Sequence, residues 1–165
     1  MSAATQQRAK QQTQSQGSGS EHMKKAQLAV EEGRMIVPGV QALFGLQMMS
    51  AFNTRFESLS SLNQILHLSA LALTTVSIAL IMAPAAYNRI AEPEIGSKFF
   101  VRLASGLIAG ALIPLTISIT LEVYIVATLI IPSALISAAV AGFLFIVFAC
   151  LWFAYPYAKR NRTRE

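Results

Sequence analysis

Aspartate is absent from the 165 residues, cysteine occurs once, and charge of either sign is scarce, at 13% of positions. That charged fraction is about half of what a soluble globular domain carries. With no aspartate and eight glutamates, a carboxylate pair outside an apolar setting is hard to assemble, and the turn after the first hydrophobic segment offers chiefly Arg55 and Glu57. The lone Cys150 lies inside an apolar run, which excludes a disulfide scaffold and a paired-cysteine metal motif. Gly-rich nucleotide loops are missing too. A soluble-type enzyme is therefore not expected, and neither a cofactor nor a nucleic-acid partner is implied.

What the chain has instead is apolar length. Apolar residues make up 54% of it, and between Arg102 and Lys159 there are 56 residues with one charge, Glu122. No soluble core helix is that long, so the chain reads as an all-α polytopic membrane protein whose partner is the bilayer. Residues 1–22, rich in Gln, Ser, Thr and Gly, read as a disordered polar tail rather than a signal peptide. Residues 23–34 mix charge with Ala, Leu and Val and read as a short amphipathic interfacial helix. A four-helix transmembrane domain over 35–158 follows, with spans at 35–52, 65–87, 99–130 and 134–157 in two hairpins, and residues 159–165 form a basic tail. The segment 35–52 is the weakest, diluted by Pro38, Gly39, Gln41, Gly45 and Gln47. The long apolar tract divides at Pro132-Ser133.

Positive charge supports that count. Arg8, Lys10, Lys24, Lys25 and Arg34 precede the first span, Arg89, Lys98 and Arg102 separate the second from the third, and Lys159, Arg160, Arg162 and Arg164 follow the fourth. Twelve of the thirteen basic residues fall on one side, with Arg55 alone on the other, so both termini are expected in the cytoplasm. A three-span arrangement, in which 35–52 only dips into the membrane, would turn the first five cations outward and break the rule. The second and fourth spans both end in proline, tyrosine and a basic residue, at Pro84-Tyr87-Arg89 and Pro156-Tyr157-Lys159, which reads as interfacial anchoring.

Certain segments also resemble a known family. Glu32-Gly33-Arg34, Gly39-Val40-Gln41-Ala42-Leu43-Phe44, Phe52 with Arg55-Phe56, Ala83-Pro84-Ala85-Ala86-Tyr87-Asn88-Arg89 and Leu151-Trp152-Phe153 with Pro156 are similar to small bacterial four-span membrane proteins classed as a domain of unknown function. The resemblance covers about residues 25–160 and is most specific around Pro84. It implies a multi-pass protein of the bacterial inner membrane and supplies no catalytic residues. Many relatives carry His where this chain has Asn88, which argues against a proton or metal role there; some bear the label sodium:proton antiporter.

Chemistry inside the membrane centres on Glu122. A charge at mid-bilayer costs about 2.5–3.5 kcal/mol on insertion scales. Two readings are open. Glu122 is a proton or cation site, with Ser118 one turn earlier on the same face and Thr120 and Tyr124 nearby; or, lying 20 residues and roughly 30 Å beyond Arg102, it is a partly hydrated carboxylate near the far headgroups. His67, near the start of the second span, belongs to the same candidate set as a proton relay or as an ordinary interfacial residue. His22 lies in the tail, so His67 has no histidine partner for a metal or haem.

Small residues suggest close packing. Gly106 and Gly110 in the third span, and Ala134, Ala138 and Gly142 in the fourth, have the spacing that lets helix backbones approach, within the bundle or in a second subunit. Pro114 leaves the Gly110 carbonyl without its helical donor, with Thr116, Ser118 and Thr120 at hand. In the first span Gln41, Gly45, Met48 and Phe52 are expected to face the bundle. Unequal charge on the two sides disfavours a dual-topology exporter, and no inverted repeat is visible. The favoured expectation is an accessory or scaffold protein that associates with itself or a larger membrane partner. The alternative is monovalent cation or proton transport by an oligomer using Glu122.

Overall fold

The computed structural model describes residues 3–90 and 98–162. Every regular element among them is helical: α1 Ala3–Ala51, the short α2 Thr54–Glu57, α3 Ser61–Ile90, α4 Lys98–Ile130, α5 Ala134–Ala149, a π-helical turn Cys150–Ala154, and α6 Tyr155–Arg162. Three stretches are long and apolar enough to cross a membrane, Ser61–Ile90, Phe99–Ile130 and Ala134–Lys159. Leu135, Phe143 and Leu151 of the last are exposed, as suits helices solvated by lipid tails.

The expected breaks fall where proline and polar residues put them. Residues 131–133 around Pro132 separate α4 from α5, since proline cannot donate to the preceding turn. Pro38, Pro84 and Pro114 are instead accommodated inside α1, α3 and α4. Before Pro156 the helix widens: the Tyr155 amide donates to the Cys150 carbonyl, five residues back. A π turn of this kind is one way a helix adjusts to a nearby proline.

One expectation about the first helix needs restating. The polar tail and the amphipathic segment continue without a break into α1, whose Ala, Gln, Lys, Arg and Glu residues are strong helix formers; residues 1–2 lie outside the described residues, as do 163–165 of the basic tail. Among the positions of α1 whose burial is described, the buried ones are Gly33, Val40 and Gln47, seven apart, while Gln41, Gly45, Met48 and the following Phe52 are exposed. The expected bundle face was thus the wrong one. A glutamine at each of two positions gave no basis for choosing between them, whereas the seven-residue repeat marks the seam.

The chain divides into two compact units, residues 1–38 with 80–109, and 39–79 with 110–165. In the first, Phe100 and Ala104 of α4 are fully covered and pack with Tyr87 and Val101. The Tyr87 and Phe100 rings stack at 6.4 Å between centroids and 22° between planes. Ala104→Leu should overpack this cluster and cost about 1–3 kcal/mol. The measurement is the unfolding midpoint in mild detergent, which Ala109→Leu, at an exposed position of the same helix, should leave in place.

The second unit has a different interior. Its buried side chains include Gln47, His67, Thr74, Ser77, Thr116, Ser118 and Ser137 beside Leu115, Ile125 and several alanines. Such polar groups persist in an apolar surrounding only when hydrogen-bonded.

Candidate functional site

Helical spacing sets the faces that build the site. On α3 the buried residues His67, Ala70, Thr74 and Ser77 recur at intervals of three and four; on α4 Ala111, Leu115, Ser118 and Ile125 do the same, with Glu122 in the sequence of the stripe. Both stripes lie in the second unit, together with Val40 and Gln47 of α1. His67 is six residues from the start of α3 and Glu122 eight from the end of α4, about 9 and 12 Å along their helices.

The two titratable side chains meet. His67 Nδ1 lies 2.9 Å from Glu122 Oε1, with 5% of the His67 side chain and 18% of the Glu122 side chain exposed. The oxygen is not in line with a ring N–H, so the contact is a close ion-pair approach rather than an aligned hydrogen bond. Two lone pairs would repel at that distance, so a proton must sit on one of these atoms. The other ring nitrogen, Nε2, is 3.1 Å from the Gln47 carbonyl oxygen, which only accepts. Ser50 Oγ is farther from Nε2, at 3.4 Å, and already donates to the same carbonyl at 3.0 Å. A hydrogen on Nε2 suits that carbonyl, and one further proton held between Nδ1 and the carboxylate would leave the pair neutral overall. Phe56 caps the imidazole edge-on at 5.2 Å between centroids.

One turn along α4, Ser118 is the centre of a saturated network. Its hydroxyl donates to the Ala70 carbonyl at 2.8 Å. It accepts from Thr74 Oγ1 at 2.6 Å and from Gln47 Nε2 at 3.1 Å. One donor and two lone pairs are all a hydroxyl has, so α1, α3 and α4 are tied at a single oxygen. Ser77 of α3 donates to the Ala111 carbonyl at 2.6 Å, next to the carbonyl that Pro114 leaves without its helical donor. Thr116 and Thr120 return to their own helix, at Leu112 and Thr116.

Of the candidate proton or cation residues, His67, Glu122 and Ser118 thus belong to one connected region. Tyr124 lies two residues past Glu122 and about 200° round the helix from it, and is not among the residues that line the cavity beside Glu122. The small-residue positions stay open: a Cβ at Gly106, Gly110 or Gly142 would meet nothing within 4 Å, and Ala134 and Ala138 are exposed. The buried positions of α5 are Ser137 and Ala141. Gln47, which the sequence marks only as one of the residues diluting the first hydrophobic segment, is part of the site. Its backbone carbonyl and side-chain amide connect the pair to the serine network, and its Oε1 is buried without a partner.

A cavity of about 320 Å³ adjoins the pair, lined by Gln47, Ser50, His67 and Glu122 and otherwise mostly by apolar side chains of α1, α4 and the segment between α1 and α3. In the first unit a separate cavity of about 270 Å³ is lined by Gly33, Arg34, Pro84 and Ala85 among others. Two of the segments that carried the family resemblance come together there. A family described only as being of unknown function, DUF6328, matches residues 24–156. The chain belongs to DUF6328. Nothing among curated proteins or solved structures matches it. For this DUF6328 protein, the chemistry must be read from the residues themselves.

Proposed function

We propose that this DUF6328 protein exchanges monovalent cations for protons across the membrane as an oligomer, with proton and cation replacing one another at Glu122 and His67 beside it setting the pH dependence. The observation that carries the reading is the 2.9 Å approach of His67 to Glu122 in a largely buried setting. With its shared proton the pair is neutral overall. Without it, a carboxylate faces a neutral imidazole, and an unpaired charge in an apolar interior is costly. Either a proton or a cation can neutralise the site, and the two compete one for one. This competition is the basis of exchange, and it moves transport ahead of the scaffold reading.

In the same proposal, residues 35–52 of α1 form a fourth span and both termini face the cytoplasm of a bacterial inner membrane. Support comes from the twelve-to-one distribution of basic residues and from Gln47, whose amide bonds to Ser118 of an apolar helix. The test is flux. Vesicles containing purified protein, loaded with acid and a pH dye, should alkalinise inside faster than protein-free vesicles when sodium, potassium or an organic ammonium salt is added outside. Failure to respond to any of them defeats the proposal.

An assembly role has its own support in the open positions at Gly106, Gly110 and Gly142 and the exposed Ala134 and Ala138. If copies pack along α5, Ala138→Cys in a Cys150→Ser background should cross-link to itself in native membranes. Absence of any dimer would assign that face to lipid.

A further inference from the structure

The cavity beside the pair narrows the kind of cation, an inference that rests on the exchange reading. Leu43, Leu46, Phe56, Val126 and Leu129 supply much of its wall. A bare metal cation needs a shell of oxygens to replace its water. Among the described residues no group of three His, Cys, Asp or Glu converges to provide one. Acceptors are nonetheless present, and they are few and specific. Gln47 is 3% exposed and its Oε1 has no partner; Glu122 contributes its carboxylate; Ser50 Oγ spends its hydrogen on the Gln47 carbonyl and keeps lone pairs. Gln47, Glu122 and Ser50, beside Asn53, put acceptors into the otherwise mostly apolar wall of a cavity of about 320 Å³, which suits a ligand with several N–H donors and a hydrocarbon body.

We propose that this cavity binds a primary ammonium cation carrying an apolar or aromatic group. The ammonium donates to Glu122 and Ser50 and, with a small shift of the Gln47 side chain, to the buried and unpartnered Oε1, while the apolar group lies against the leucines and Phe56, whose ring face also attracts a cation. Binding displaces the proton shared by His67 and Glu122, so one proton leaves for each ammonium bound and the site stays neutral. No covalent step is involved.

Full-length protein in lipid nanodiscs, titrated with 2-phenylethylammonium chloride in two buffers of different ionisation enthalpy, tests this by calorimetry. Saturable binding with close to one proton released per amine is expected. The trimethylated analogue, with the same ring and no N–H, should bind at least about tenfold more weakly, as should the amine to Leu46→Trp, which enlarges a side chain of the cavity wall. Equal affinity for the amine and its trimethyl analogue would overturn the role of the acceptors. Proton release on adding sodium chloride, with no amine binding, would overturn the proposal and leave cation exchange standing. Amine binding with proton release, in a protein whose vesicles pass no amine and dissipate no gradient, would uphold the site and remove the transport reading.

Discussion

Glu122→Gln is expected to reduce cation-driven proton movement to the level of empty vesicles while leaving the protein folded. Glutamine keeps the length of the side chain and can still hydrogen-bond toward His67, so the local packing is preserved. It carries neither a proton to give up nor a charge for a cation to replace. Removing the carboxylate also removes the charge whose placement in a membrane costs about 2.5–3.5 kcal/mol on insertion scales. The variant should therefore be at least as stable as the parent in detergent, and a loss of flux cannot be charged to unfolding. His67→Gln should behave differently. The carboxyl group remains and can hold its own proton, so exchange continues, with an altered dependence on pH because the imidazole no longer takes part. Full flux in Glu122→Gln at every pH would take this residue out of the mechanism. Equal loss in both variants would mean that the pair acts only as a unit.

The sequence makes the apolar helices legible because their signal is strong and local. An uninterrupted apolar run has only a few places to turn, and Pro132 marks one; the expected boundaries 99–130 and 134–157 lie close to the observed Lys98–Ile130 and Ala134–Lys159. The first helix is harder, since Gln41, Gln47 and the glycines lower its hydropathy, and its Gln-rich start satisfies both the composition of a disordered tail and the propensities of a helix. Candidate residues were legible singly. Glu122 stands out by its isolation, Ser118 by sharing its face, and His67 by its chemistry. Their meeting was not, because periodicity gives the buried face of each helix and does not align one helix with another. His67 and Glu122 are 55 residues apart in the chain, and only the register between α3 and α4 joins them. The buried positions repeat at seven in the structure, Gly33, Val40 and Gln47 as well as Ala70 with Ser77 and Ala111 with Ser118 and Ile125, but their mixture of small, apolar and polar residues leaves no such repeat to read in the sequence.

The Ser118 hydroxyl is where that register is held, and its removal should cost more than a usual membrane hydrogen bond. Single interhelical bonds in membrane proteins average about 0.6 kcal/mol because separated helices find other partners. Ser118→Ala differs, for it removes at once the acceptor that Thr74 Oγ1 and Gln47 Nε2 share and the donor that the Ala70 carbonyl uses, and Gln47 already holds one unpartnered oxygen. A loss of about 1–3 kcal/mol follows from leaving buried donors unsatisfied. It should be read as a lower unfolding midpoint in a reversible detergent titration. A second substitution separates desolvation from packing. Thr74→Val in the Ser118→Ala background replaces both hydroxyl partners with groups of similar shape and should recover part of the loss, since one stranded donor is gone. If the double variant is instead less stable by the sum of the single effects, Ser118 and Thr74 act independently and the shared oxygen does not couple the helices. The same titration bears on the exchange site. Gln47 is held by Ser118 at its amide and supports His67 by its carbonyl, so Ser118→Ala should also loosen the imidazole and slow flux without abolishing it. Unchanged flux alongside lowered stability would confine Ser118 to holding the helices together.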